Sequence, residues 1–204
     1  MDINNFIAIA KVFIPLFVVI DPIGSMVLFV SMTSSYSEAE KKEATKDAFV
    51  YGLIILVLFT LGGSILLEIM GISIMSIQIA GGIILLIMGV EMVREGDRPK
   101  STGKTYKNPD LGIVPFATPL LAGPGAISLV IILAQSGFYA ILEVLASLAI
   151  IFILVIILFL SGTKISRAIG DKSLKAVTRI FGLIVAAFAI QFIIDAVKLL
   201  ALTI

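Results

Sequence analysis

The sequence has no cysteine and no histidine, and only 14% of its 204 residues are charged. Those absences exclude disulfides, thiol nucleophiles and any metal site or general base built on histidine, so most hydrolase mechanisms lose their key parts. No zinc or serine–histidine motif can form and no paired acids share one depth, so neither an enzyme nor a resident metal or cofactor is expected. An excess of one charge is also missing: 15 Lys and Arg against 14 Asp and Glu leave no general basic field for nucleic acid. The opening MDINNFIAIAK has no basic stretch, and the apolar run after it enters Asp21-Pro22 without a small-residue cleavage site. No removable signal peptide is expected.

What is present is apolar: 59% of residues are hydrophobic and the mean hydropathy is +1.16. Such a chain cannot keep a soluble surface around one core, so the bilayer is its main solvent. A helix needs roughly 20 apolar residues to cross a hydrocarbon layer of ~30 Å. Six segments meet that length, at about 5–34, 48–70, 74–93, 112–135, 139–163 and 177–201. With six spans, 13 of the 15 Lys and Arg fall on one side, leaving only Lys11 and Lys198. The positive-inside rule then puts the charged loops in the cytoplasm and both termini outside, in the cell (inner) membrane.

Shifted by about 101 residues, the chain lies on itself: VVIDPIGSM (18–26) falls near LLAGPGAIS (120–128), TLGGSILLEI (60–69) near LSGTKISRAI (160–169), and QIAGGIILLIMGVEMV (78–93) on RIFGLIVAAFAIQFII (179–194). Three matches in register and in order point to a repeat. The unit has three spans, an odd number, so the second copy enters the membrane from the opposite face, the plan of many secondary transporters. The expected fold is an all-α membrane protein of six transmembrane helices in two inverted three-helix repeats. The first covers 1–93, a flexible cytoplasmic linker 94–111, and the second 112–204.

Spans one and four are expected to be broken. Span one would be about 45 Å long as one helix, and it carries Asp21-Pro22-Ile23-Gly24-Ser25 near its middle. Span four carries Pro115, Pro119 and Gly123-Pro124-Gly125. Proline offers no N–H and disfavours helix in the residue before it. Asp21 and Gly123 suit N-caps, and Pro22 and Pro124 suit first helical residues. Unpaired N–H groups and the positive end of the helix dipole then face each break, where an anion such as an amino-acid carboxylate fits, while unwound carbonyls suit an ammonium group or a cation.

Asp21 breaks the symmetry, its repeat partner being Gly123. A carboxylate at membrane depth costs about 2.5–3.5 kcal/mol, so it should face the interior, either capping its half-helix or acting as coupling group and acceptor for a substrate ammonium, roles that are compatible. Ser25 and Ser128, in the first turns after the breaks, either donate to a substrate carboxylate or serve packing and back-bonding. Thr33 and Thr118 are weaker candidates. Gln78, Gln135 and Gln191 read as interhelical or span-end polar groups. Gly62-Gly63, Gly81-Gly82, Gly89, Gly162 and Gly182 suit close helix packing. Ser37 to Glu40 has capping-box spacing and should start a cytoplasmic extension of span two. The linker's GKT lacks the earlier glycine of a phosphate loop.

The stretches DPIGSMVLFVSMT (21–33), AGGIILLIMGVEM (80–92) and PFATPLLAGPGAIS (115–128) resemble the MarC family of integral membrane proteins, and the resemblance covers essentially the whole chain. Ser25 and Val27 stand where the family's first motif has Asn and Pro. Likeness to SnatA-like members implies transport of glycine or alanine. The leading expectation is thus a secondary transporter of small neutral amino acids. Its midplane site would comprise Asp21, Pro22, Gly24, Ser25, Gly123, Pro124, Gly125, Ala126 and Ser128. The substrate carboxylate would meet the N–H groups of Gly125 and Ala126, its ammonium would lie near Asp21, and a small cavity left by Gly24, Gly123 and Gly125 would select small side chains. Coupling to H+ is favoured over Na+ because one buried acid is visible. The competing readings are an exporter or channel for another small solute and a non-transporting scaffold. The apolar surface is compatible with a homo-oligomer.

Overall fold

The computed structural model describes residues 3–95 and 110–201, and every regular element among them is helical. The helices are α1 (Ile3–Ile20), α2 (Pro22–Met32), α3 (Glu38–Ile69), α4 (Ile74–Glu95), α5 (Pro124–Ala134), α6 (Phe138–Ile169) and α7 (Asp171–Ala201), with a wide, irregular helical segment at Gly112–Leu121 before α5. Five stretches are long and apolar enough to cross a membrane, among them α1 and α2 together over Ile9–Val30; the segment Gly112–Leu121 with α5, bent by 52°, makes the sixth. The chain is an integral membrane protein of six spans. Most of the linker, 96–109, lies outside the described residues.

Local chemistry sets the ends. Ser37 and Glu40 form the capping box: the Glu40 amide donates to Ser37 Oγ at 3.3 Å and the Ser37 amide to Glu40 Oε2 at 2.7 Å. This starts α3 in a charged stretch, Glu38 to Asp47, that precedes its apolar part. Between the second and third spans of each half the chain turns on a glycine of positive φ, Gly71 (65°) and Gly170 (78°), a backbone region closed to most side chains. The two turns sit at equivalent places in the two halves.

The directions of the spans follow from which residues meet. On α4, Gly82 lies against Ala189 and Ile193 of α7, and Gly89 against Gly182 and Ala186, so the third helices of the two halves run antiparallel. Gly112 abuts Ala44 and Asp47 while Gly63 abuts Ile131, so α3 and the fourth span run parallel. Both results are what six alternating spans require. Contacts are also exchanged between the halves: Gly63 of α3 receives Ile131 of α5, and Gly162 of α6 receives Met26 and Val30 of α2. Val30 and Ile131 are repeat equivalents.

The close approaches explain the small residues. A Cβ on Gly89 would come within 2.7 Å of the Gly182 carbonyl oxygen and the Ala186 amide nitrogen, backbone atoms that cannot yield easily. Gly62 differs from the expectation: its side-chain position is open, with nothing within 4 Å. It shares α3 with lipid-facing Leu58 and Ile65, so its neighbour Gly63 alone of the pair makes the helix contact.

The first span lies at the centre. Of its most apolar stretch 61% is buried, against 22% for α4 and for α7. Leu16, Ile20, Met26 and Phe29 from this span join Phe116, Leu121, Leu129 and Phe152 in the core, while Leu58, Ile65, Ile87 and Leu183 face outward. Large apolar side chains outside and broken helices inside is the arrangement a bilayer permits, because irregular backbone must be covered by protein.

Candidate functional site

The two breaks lie side by side. α1 packs on α5, and α2 packs on the segment Gly112–Leu121, with Phe29 and Phe116 at a centroid distance of 5.2 Å. The half before one break thus meets the half after the other, so spans one and four cross antiparallel with their breaks at one level.

Their geometries differ, where the sequence led us to expect the same interruption twice. At the first break only Asp21 leaves the helical region, at φ 48°, ψ 66°, a left-handed conformation tolerated by aspartate. The ladder passes across it: the Asp21 amide donates to the Phe17 carbonyl and the Ser25 amide to the Asp21 carbonyl, each at 3.0 Å. Pro22 starts α2 and has no N–H to offer Val18. Asp21 Oδ1 accepts the Gly24 amide at 2.9 Å, so the carboxylate caps α2 from within.

The second break is wider. Val114 and Thr118 are extended, each before a proline whose ring disfavours helix there, and both X–Pro bonds are cis. The Ala122 amide reaches back five residues to the Ala117 carbonyl at 2.8 Å, and the Ile127 amide bonds the Gly123 carbonyl at 2.9 Å as α5 begins. Gly123 is the N-cap of α5 but has no side chain to cap with. It cannot acquire one cheaply, because a Cβ there would run into the Pro119 carbonyl oxygen. One half-helix therefore carries its own carboxylate at its positive end, and the other carries no capping side chain.

Asp21, Pro22, Gly24, Ser25, Gly123, Gly125, Ala126 and Ser128 are all buried, and Pro124 is exposed. Ser128 is turned to packing: its hydroxyl donates to the Pro124 carbonyl at 2.8 Å, and its Cβ fills the space beside Gly81 of α4. The glycine cavity expected from the sequence is corrected. The space beside Gly24 holds the Asp21 carboxylate, that beside Gly123 the Pro119 carbonyl, and that beside Gly125 the Leu85 side chain. Close approach, not a void, is what these glycines permit. Gly81 and Leu85 were missed as neighbours of the site, since an apolar helix gives no signal of which face will meet a break.

Of the remaining polar candidates, Thr118 lies in the second break itself, whereas Thr33 and Gln191 bond elsewhere. The Thr33 hydroxyl donates to the Phe29 carbonyl at 2.7 Å, and Gln191 Nε2 donates to Asp195 Oδ1 at 2.8 Å along the exposed side of α7. Among the described residues no group of three or more Asp and Glu could hold a metal.

A sequence model described as "MarC family integral membrane protein" matches residues 6–201. The chain belongs to the MarC family. A "UPF0056 membrane protein" of Methanocaldococcus jannaschii is 34% identical over 97% of this chain and 98% of its own length. The Escherichia coli "UPF0056 membrane protein YhcE" is 31% identical, with 92% of this chain and 91% of the relative covered. "UPF0056 membrane protein YvbG" of Bacillus subtilis is 28% identical over 92% and 93%. No solved structure matches. Both breaks fall inside the MarC match, so the site described above belongs to the part of the chain that the family shares.

Proposed function

We propose that the protein is a secondary transporter of small neutral amino acids, glycine and alanine foremost, that it couples their movement to a proton or sodium gradient, and that it binds them between the two breaks. The observation that carries this reading is the difference between the two half-helix starts. In the first repeat a carboxylate of the chain, Asp21, accepts the Gly24 amide. In the second, Gly123 leaves the equivalent start of α5 without a side-chain cap. The amides of Gly125 and Ala126 suit the carboxylate of an amino acid, which would do for α5 what Asp21 does for α2. Its ammonium group would turn toward Asp21, the one buried acid among the described residues. Because the glycine spaces at the breaks are filled, little room would be left for a substrate, which favours small side chains.

The wider reading is an inner-membrane protein with both termini outside, one three-helix repeat on each side of the linker, and alternating access by rocking of one repeat against the other. The test is uptake of labelled alanine and glycine into proteoliposomes under imposed proton or sodium gradients, with Asp21→Asn alongside. Gradient-driven uptake that the variant loses supports the proposal. A folded protein that moves neither amino acid under either gradient overturns it.

A further inference from the structure

Asp21, Ser25, Phe29 and Thr33 recur every four residues and so lie along one face of span one, and each is buried to within 2% of full cover. The face begins at the break and ends beside a small cavity at the lysine-rich end of the bundle, lined by Phe29, Thr33, Glu38, Lys41, Phe159 and Thr163. The Glu38 side chain is 82% exposed and pairs with Lys41 at 2.9 Å, so the mouth of this cavity is in contact with water. Between the wet cavity and the buried carboxylate stands one aromatic layer. Phe29 stacks on Phe159 at a centroid distance of 4.3 Å, meets Phe116 edge-on at 5.2 Å, and Phe116 meets Phe159 at 5.5 Å. The three rings form a closed triangle, at most 3% exposed.

The triangle joins parts that come from both halves: Phe29 is on α2, Phe116 on the irregular segment Gly112–Leu121 before α5, and Phe159 on α6. Rocking of one half against the other would therefore move Phe29 relative to the other two rings. We infer that Phe29, Phe116 and Phe159 are the gate that closes the path from the lysine-rich end to the breaks, with Thr33 outside it and Ser25 inside. This rests on the transport reading above, but its test needs no substrate.

The absence of cysteine makes every introduced thiol a unique probe. Ser34→Cys, at an exposed position next to Thr33, and Ser25→Cys are placed singly in membrane vesicles and exposed to a small, membrane-impermeant methanethiosulfonate; the Ser34→Cys signal identifies the vesicle orientation that presents the lysine-rich end. In that orientation the Ser25→Cys thiol should react slowly in the parent chain. With Phe159→Ala added it should react about tenfold faster or more, a factor equivalent to about 1.4 kcal/mol of lost seal, while the Ser34→Cys rate stays as it was. Phe159→Leu, which keeps the core filled, should raise the rate in the same direction, and a monodisperse elution profile shows that both variants fold. A Ser25→Cys rate that neither substitution changes, or one that equals the Ser34→Cys rate with all three rings intact, overturns the gate. Failed amino-acid uptake with a positive labelling result would reject the substrate and keep the gate.

Discussion

Asp21 accepts the amide hydrogen of Gly24 at 2.9 Å, and its carboxylate occupies the space where a side chain on residue 24 would stand. Cap and charge are therefore carried by one group, and substitution can separate them. Asn caps as well as Asp does, whereas Ala loses the cap at about 0.5–2 kcal/mol. Asp21→Asn should keep the thermal stability of the purified protein and abolish gradient-driven uptake; Asp21→Ala should lower both. Equal loss of stability in the two variants, measured by thermal unfolding in one detergent, would assign the position to something other than the cap.

The glycines of the helix contacts predict opposite outcomes for one chemical change. Gly89→Ala drives a methyl group into backbone atoms of Gly182 and Ala186 and should destabilise by about 1–3 kcal/mol. Gly62→Ala meets nothing within 4 Å and should be neutral or raise stability, by up to about 1 kcal/mol, through helix propensity. Comparing the melting of the two purified variants checks both.

A third prediction concerns Gly81 and Ser128. A Cβ on Gly81 would lie 2.6 Å from Ser128 Cβ and 2.7 Å from Oγ, so Gly81→Ala should destabilise. Ser128→Ala keeps the obstructing Cβ and should not rescue it, while Ser128→Gly should. A double-mutant cycle on stability reads the coupling, expected at about 0.5–3 kcal/mol for residues in direct contact. Additive effects of Gly81→Ala and Ser128→Gly would mean that the two helices do not meet there.

These sites also show how far the sequence reaches. The number of spans, the capping box at Ser37 and the residues of both breaks were legible because they depend on local chemistry: apolar length, a side chain three residues from an amide, a proline without an N–H. The contacts of Gly63, Gly89 and Gly182 could be anticipated as close packing but not assigned to partners. The openness of Gly62, the filling of Gly125's space by Leu85 and the triangle of Phe29, Phe116 and Phe159 were not legible. Each depends on how helices distant in sequence are rotated against one another, and a helix apolar on every side does not specify its rotation. The unequal breaks lie between these cases. The extra prolines of span four were visible, but not that the ladder of span one would run on through Asp21.

The lack of cysteine also allows the membrane orientation to be measured directly. Thirteen of 15 Lys and Arg fall on one side of a six-span chain, and the antiparallel pairing of α4 with α7 requires the two halves to enter from opposite faces. Ser34, at the end of the first span, and Ser136, between α5 and α6, are both exposed, and an odd number of crossings separates them. Single Ser34→Cys and Ser136→Cys thiols should therefore react with an impermeant reagent from opposite sides, Ser34→Cys from the cytoplasm and Ser136→Cys from outside. Reaction of both from one side would remove a span and with it the inverted repeat. Reaction from opposite sides in the reverse sense would keep the fold but place the lysine-rich end outside, against the charge rule.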